Sequence, residues 1–177
     1  LGSRQLELLE QYYLEIINII AQDDAEVFIP TITNLEHWFS ETTINQLGRM
    51  KVYIENIMDA DIRDFFKLCM VSIIKRVSNA DDTSPKPYVS NKIVKNPPTV
   101  EKEFASVFRR YKQMMKELSN IEKMGKTEIV QGNALNFSLS LGIDLAITCS
   151  FFLLTFLPSK WLTINFLAAL FYHNQTH

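Results

Sequence analysis

The chain has 177 residues, of which 47% are hydrophobic and 21% are charged. This length and composition predict one globular domain with a sizeable apolar core. The 18 lysine and arginine residues nearly balance the 20 aspartate and glutamate residues, and the formal net charge is -2. This balance argues against a dedicated nucleic-acid-binding arm, although it leaves room for a local basic patch.

The cysteines and glycines exclude several kinds of site. Cys69 and Cys149 are far apart and form no metal-binding spacing, so we expect free thiols, a cytoplasmic protein and no bound metal. The first residues contain no apolar signal segment, which agrees with that location. The five glycines form no G-x-G or P-loop pattern, so the sequence contains no complete nucleotide cradle.

Apolar residues at helical spacing predict two helices in the first third of the chain. The first carries an apolar stripe from Leu6 to Ile20 and ends at Asp23-Asp24. Ser40 is a suitable N-cap for the second, which we expect to run from about Glu41 to Ile57. The segment between them contains Pro30 and is predicted to be a connection rather than a central strand.

A third helix is predicted to begin at Asp59 or Asp61 and to be buried on more than one side, because apolar residues cover most of its circumference. Residues 75–98 are rich in proline and asparagine and predict a long loop, which in a compact domain is typically functional. A fourth helix follows from Val100 to Leu118, and we interpret its cationic outer face as a solvent-exposed surface.

The pattern changes after residue 126. Residues 128–130 predict a short strand, Gly132-Asn133 a turn at its carboxyl end, and Ile143 to Thr148 a second strand. Helices followed by a strand, a turn and a strand predict an α/β fold in which this chain contributes part of a sheet.

Three stretches together resemble a family of site-specific DNA methyltransferases that modify exocyclic amines, at N4 of cytosine or N6 of adenine. They are "NLEHWFS" (34–40), "DIRDFFKLCMVSIIKRVSNADDTSPKP" (61–87) and "EIVQGNALNFSLSLGIDLAIT" (128–148). The resemblance implies a partial methyltransferase domain over residues 1–148, with a helical region at 4–124 and a strand-turn-strand unit at 127–148. The implied fold is an incomplete Rossmann-like sheet, with about two parallel strands in a mostly α-helical chain.

The resemblance also implies a cofactor, a partner and their binding residues. The cofactor is S-adenosylmethionine, whose adenine the family binds at a Gly-Asp-Ala sequence. The matching residues here are Gly132, Asn133 and Ala134, and because Asn133 lacks the charge of aspartate, we expect weak or absent cofactor binding. The partner is DNA, and the residues expected to contact it are Lys75, Arg76, Asn79 and Lys86.

No catalytic residue is assigned. The family continues its second strand into a Ser-Pro-Pro-Tyr loop, whereas Thr148 is followed here by Cys149-Ser150-Phe151-Phe152. Residues 149–177 form an apolar tail, and we hypothesise that a frameshift near Thr148 replaced the catalytic loop.

The sequence therefore predicts a fragment of an S-adenosylmethionine-dependent DNA methyltransferase from a restriction-modification setting, inactive alone. Whether the chain is itself an enzyme stays open, as do a complementing polypeptide and self-association. The alternative function is a non-enzymatic helical interaction module, membrane-associated through residues 145–172. We do not expect a membrane contact, because its two apolar runs are each shorter than the roughly 20 residues that span a bilayer.

Overall fold

The computed structural model describes residues 3–83, 88–90 and 94–121. The described residues form five helices: α1 (Ser3–Ala21), α2 (Leu35–Trp38), α3 (Glu41–Glu55), α4 (Ala60–Val77) and α5 (Val100–Ser119). The four long helices confirm the four that were predicted, and α2 is an additional single turn.

The N-termini of α3, α4 and α5 are fixed by side-chain caps. The Ser40 side chain accepts a hydrogen bond from the Thr43 amide, as the sequence predicted for α3. Asp59 is the N-cap of α4, and the side chain of Thr99 caps α5 by accepting a hydrogen bond from the amide of Lys102. Each cap satisfies amides that have no partner inside the helix, and a cap of this kind typically stabilises a helix by about 1 kcal/mol.

Neighbouring long helices run in opposite directions. The carboxylate of Glu15 in α1 accepts a hydrogen bond from the hydroxyl of Tyr53 in α3. Further along α1, the carbonyl of Ile20 accepts one from Arg49, which lies earlier in α3. These two contacts make α1 and α3 antiparallel.

The other pairs follow the same rule. Lys67 in α4 pairs with Glu55 at the end of α3 across a short turn. Arg76 near the end of α4 contacts Glu103 in the first turn of α5, and Lys112 of α5 contacts α1 at Glu10. Helices α1, α3, α4 and α5 therefore form an up-down-up-down four-helix bundle.

The core of the bundle lies among aromatic side chains from α1, α4 and α5. The buried ring of Phe66 has its centroid 5.3 Å from that of Phe65, 6.2 Å from that of Phe104 and 6.0 Å from that of Phe108. Tyr13 stacks on Phe108 at 4.3 Å and joins α1 to this cluster. The apolar stripes of the long helices thus face one another and close a single core.

Gly48 allows the connection between α1 and α3 to lie against α3. A Cβ atom at this position would lie 2.3 Å from the carbonyl oxygen of Phe28 and 2.8 Å from a methyl group of Val27. Because no real Cβ approaches a backbone oxygen so closely, a glycine is required here although it weakens the helix.

The predicted α/β fold is wrong for the part of the chain that the structure describes. Residues 3–83, 88–90 and 94–121 contain no strand. Most of the apolar surface of the long helices is buried by the other helices of the bundle, without a sheet. The strand-turn-strand unit predicted at 127–148 lies outside the described residues, as does the tail at 149–177.

None of the helices within the described residues is long and apolar enough to cross a bilayer. The apolar region at 145–172, on which the alternative membrane association depends, lies outside them.

Candidate functional site at the end of helix α4

Two long connections meet at one end of the bundle. Because the long helices alternate in direction, α1 and α4 end where α3 and α5 begin. The connection that contains α2 and the connection between α4 and α5 therefore share this end. They carry residues of two of the stretches that resemble the methyltransferases. The first connection contains "NLEHWFS" (34–40), and the second contains the part of the 61–87 stretch that follows α4.

Asn79 joins these two connections. Its backbone amide donates to the carbonyl of Trp38 at 2.8 Å. Its side-chain amide donates to the carbonyl of His37 at 3.2 Å. Both acceptors lie at the end of α2, where carbonyl groups have no partner inside the helix, so Asn79 supplies the missing donors.

Ser78 and Ala80 turn the chain away from α4. The hydroxyl of Ser78, which is completely buried, donates to the carbonyl of Lys75 at 2.7 Å. The same oxygen accepts a hydrogen bond from the amide of Ala80 at 3.2 Å. This turn fixes the direction in which Asn79 and the residues after it leave the helix.

Asp81 holds the next part of the loop. One oxygen of its carboxylate accepts hydrogen bonds from the amide and the hydroxyl of Thr83, at 2.7 and 2.6 Å. The other oxygen accepts one from the hydroxyl of Tyr88 at 3.0 Å, and the amide of Asp81 donates to the carbonyl of Tyr88 at 2.9 Å. The pKa of Tyr88 is raised because ionisation would break the hydrogen bond to Asp81 and place two negative charges together.

Lys95 closes the loop by bringing its far end back to α4. The ammonium group donates to the carbonyl of Lys75 at 3.2 Å, to that of Ala80 at 3.0 Å and to the carboxylate of Asp82 at 2.9 Å. Its three donors thus have three partners. Sequence reasoning missed this role, because nothing in its local sequence distinguishes Lys95 from the other lysines of the loop.

The structure places Lys75 and Arg76 at the same end, and both contact the loop. The ammonium group of Lys75 donates to the carbonyl of Asp82 at 3.3 Å. The guanidinium of Arg76 lies 3.5 Å from a carboxylate oxygen of Glu103 and 4.0 Å from one of Asp82. Arg76 therefore faces carboxylates of the loop and of α5, whereas Lys75 contacts the loop through a main-chain carbonyl.

The four residues predicted to contact DNA therefore have different outcomes. Lys75, Arg76 and Asn79 lie together at the end of α4, but their polar groups hold the loop and α2 in place. Lys86 lies outside the described residues. DNA contact at this loop stays a prediction.

The predicted cofactor residues Gly132, Asn133 and Ala134 lie outside the described residues as well. Within the described ranges, no group of histidine, cysteine, aspartate and glutamate residues has the arrangement to hold a metal ion. Cys69 is buried, and desolvation raises the pKa of its thiol to about 12, so it is a poor nucleophile.

Comparison of the chain with models of protein families, with curated proteins and with solved structures finds no match.

Proposed function

We propose that this chain is the helical part of an S-adenosylmethionine-dependent DNA methyltransferase that modifies an exocyclic amine of cytosine or adenine. The cofactor would supply an electrophilic methyl group: as the amine nitrogen bonds to the methyl carbon, the methyl–sulfur bond would break, S-adenosylhomocysteine would leave and the nitrogen would lose a proton. The protein would position the two reactants and place charge around them. The chain lacks the Ser-Pro-Pro-Tyr loop after Thr148, and we expect it to transfer no methyl group alone.

The observation that carries the proposal is the junction made by Asn79. The resemblance depends in part on two stretches that lie about 40 residues apart, and Asn79 of the second donates to His37 and Trp38 of the first. Residues that build one local structure share a physical reason to occur together. The contact therefore supports treating the two stretches as parts of one local structure.

A chimera tests the proposal. The helical segment of an intact methyltransferase of the resembled family is replaced by residues 3–121 of this chain, and transfer of a radiolabelled methyl group to DNA is measured. We expect a rate within about ten-fold of the parent, because the helices would restore the geometry that the chemistry requires, and ten-fold corresponds to about 1.4 kcal/mol in the barrier.

Two control chimeras make the result specific. One contains an unrelated helical bundle of the same length and should be inactive. The other carries Asn79→Ala and should lose part of the activity, because the carbonyl of His37 loses its side-chain donor. If the test chimera is folded but no more active than the one with the unrelated bundle, the proposal is wrong.

The second function, a non-enzymatic helical interaction module, is favoured by exposed apolar side chains on α4 and α5. Leu68 of α4 is 56% exposed, and Met114 and Leu118 of α5 are 50% and 41% exposed. The hydrogen bond between Ser72 and Tyr111 sets these outer faces side by side in antiparallel register. If this face binds a partner or a second copy, the parent should sediment as a complex and Leu118→Asp should abolish that association. If the sedimentation coefficients of the parent and the variant are equal, only the methyltransferase role is left.

A further inference from the structure

The outward face of α5 is a basic surface. Six exposed residues at successive turns form it, and we call it the α5 basic face: Lys102, Ser106, Arg109, Arg110, Gln113 and Lys116. The opposite side of the helix carries Phe104, Val107 and Phe108, which are buried in the bundle. Packing therefore fixes which way these cations point.

The charged residues at the two edges of this face form ion pairs, whereas, within the described part of the chain, the cations of the face do not. At one edge Lys112 pairs with Glu10 of α1, and at the other Glu103 pairs with Arg76 of α4. Among the described residues, no carboxylate lies within ion-pair distance of Lys102, Arg109, Arg110 or Lys116. Their charge is therefore directed at solvent.

Two exposed acids are chain neighbours of the terminal lysines of this face: Glu101 precedes Lys102, and Glu117 follows Lys116 and accepts a hydrogen bond from Gln113. Arg109 donates through Nε to the carbonyl of Ala105 in its own helix, which extends its remaining guanidinium donors along the surface. The guanidinium of Arg110 lies 5.2 Å from the ring centroid of Tyr111, which anchors it at the side near α4.

The spacing of the charges suits a nucleic-acid backbone. Lys102, Arg109 and Lys116 are each seven residues apart, so at 1.5 Å per residue the face is about 21 Å long. Because base pairs of DNA rise by about 3.4 Å, this length corresponds to roughly 6 base pairs. Serine and glutamine between the cations add neutral donors of the kind that bind phosphate oxygens.

We propose that the α5 basic face binds the phosphate backbone of duplex DNA. The choice of DNA as the polyanion rests on the proposed function, whereas the location of the contact rests on the charges of α5. A membrane surface fits less well, because a helix that lies on a bilayer inserts its apolar side, and here that side forms the core.

The test compares two variants of the full chain with equal charge change. Lys102→Gln/Arg109→Gln removes two cations from the α5 basic face. Arg4→Gln/Lys67→Gln removes two from α1 and α4. Binding to a 20-base-pair fluorescent duplex is measured by anisotropy over a series of salt concentrations, and far-UV circular dichroism confirms that both variants are folded.

We expect the α5 variant to bind about ten-fold more weakly and to lower the slope of log affinity against log salt by about 2, because each lost phosphate contact lowers it by about 1. The control should stay within about two-fold of the parent. Equal losses in both variants, or no duplex binding by the parent at low salt, would overturn the proposal.

Phosphatidylserine vesicles distinguish the two polyanionic surfaces. Binding of the chain to vesicles but not to the duplex would replace DNA by a membrane and overturn the proposal. The chimera described above separates this inference from the proposed function. An active chimera with no effect of the α5 substitutions refutes only the α5 contact, whereas duplex binding through α5 with an inactive chimera refutes only the methyltransferase role.

Discussion

Replacing Phe66 by alanine is expected to lower the free energy of unfolding by about 3–5 kcal/mol, which is the cost of removing a large side chain from a packed core. The Phe66 ring is fully buried and contacts Tyr12 of α1, Phe65 of its own helix and two phenylalanines of α5. The cavity would open between three helices, and none of them can move into it without breaking other contacts. Urea unfolding followed by circular dichroism measures the loss.

Leu68 provides the matched control for Phe66. It lies two residues further along α4 and is 56% exposed, so Leu68→Ala removes little buried surface and should change the free energy of unfolding by less than about 0.5 kcal/mol. Equal effects of the two substitutions would show that the face of α4 assigned to the core is wrong.

Arg49→Ala is expected to lower the free energy of unfolding by about 3 kcal/mol, since hydrogen bonds from a charged group contribute about 1.5–3 kcal/mol each. The largely buried guanidinium donates to the carbonyl of Ile20 at 3.3 Å and to that of Asp23 at 3.2 Å. The carbonyl of Ile20 lies in the last turn of α1 and that of Asp23 lies just beyond the helix, where carbonyls have no helical partner. We expect the loss of stability to be smaller than the sum of two such hydrogen bonds. Nε of Arg49 is buried without a partner among the described residues, and its desolvation already offsets part of what the side chain contributes.

Arg49→Lys tests the geometry of this contact. Lysine keeps the charge but lacks the planar fork, so a single ammonium group cannot reproduce both donors in the same directions. We expect a loss of stability between that of alanine and that of the parent. Arg109→Ala, on the exposed outer side of α5, is the control and should change stability by less than about 0.5 kcal/mol. Indistinguishable Arg49→Ala and Arg109→Ala variants would contradict the capping role.

The long helices are predictable because their signals are local. The apolar stripe of α1, the cap at Ser40 and the cap at Asp59 each depend on residues within one or two turns of each other. The end of α4 is harder to predict from the sequence, because a serine in a turn occurs in capped helices and in open loops alike.

The fold class and the site could not be read in the same way. The α/β interpretation gave weight to two short apolar segments after residue 126, whereas the long amphipathic helices before it already cover one another. The roles of Asn79 and Lys95 depend on acceptors that only folding brings near them. A lysine or asparagine in a loop has the same local sequence whether its partner is a phosphate or a carbonyl of its own chain.

We expect the helices up to residue 121 to fold as a unit that needs no residue after Ile121 to complete its core. Among residues 3–83, 88–90 and 94–121, the buried apolar residues of the core cluster extend from Leu9 to Phe108. A chain that ends after Ile121 tests this most directly, by circular dichroism during thermal and urea unfolding. We predict a helical spectrum and a single cooperative transition, with the same sensitivity to Phe66→Ala as in the full chain. A helical signal that melts without a cooperative transition would contradict the claim.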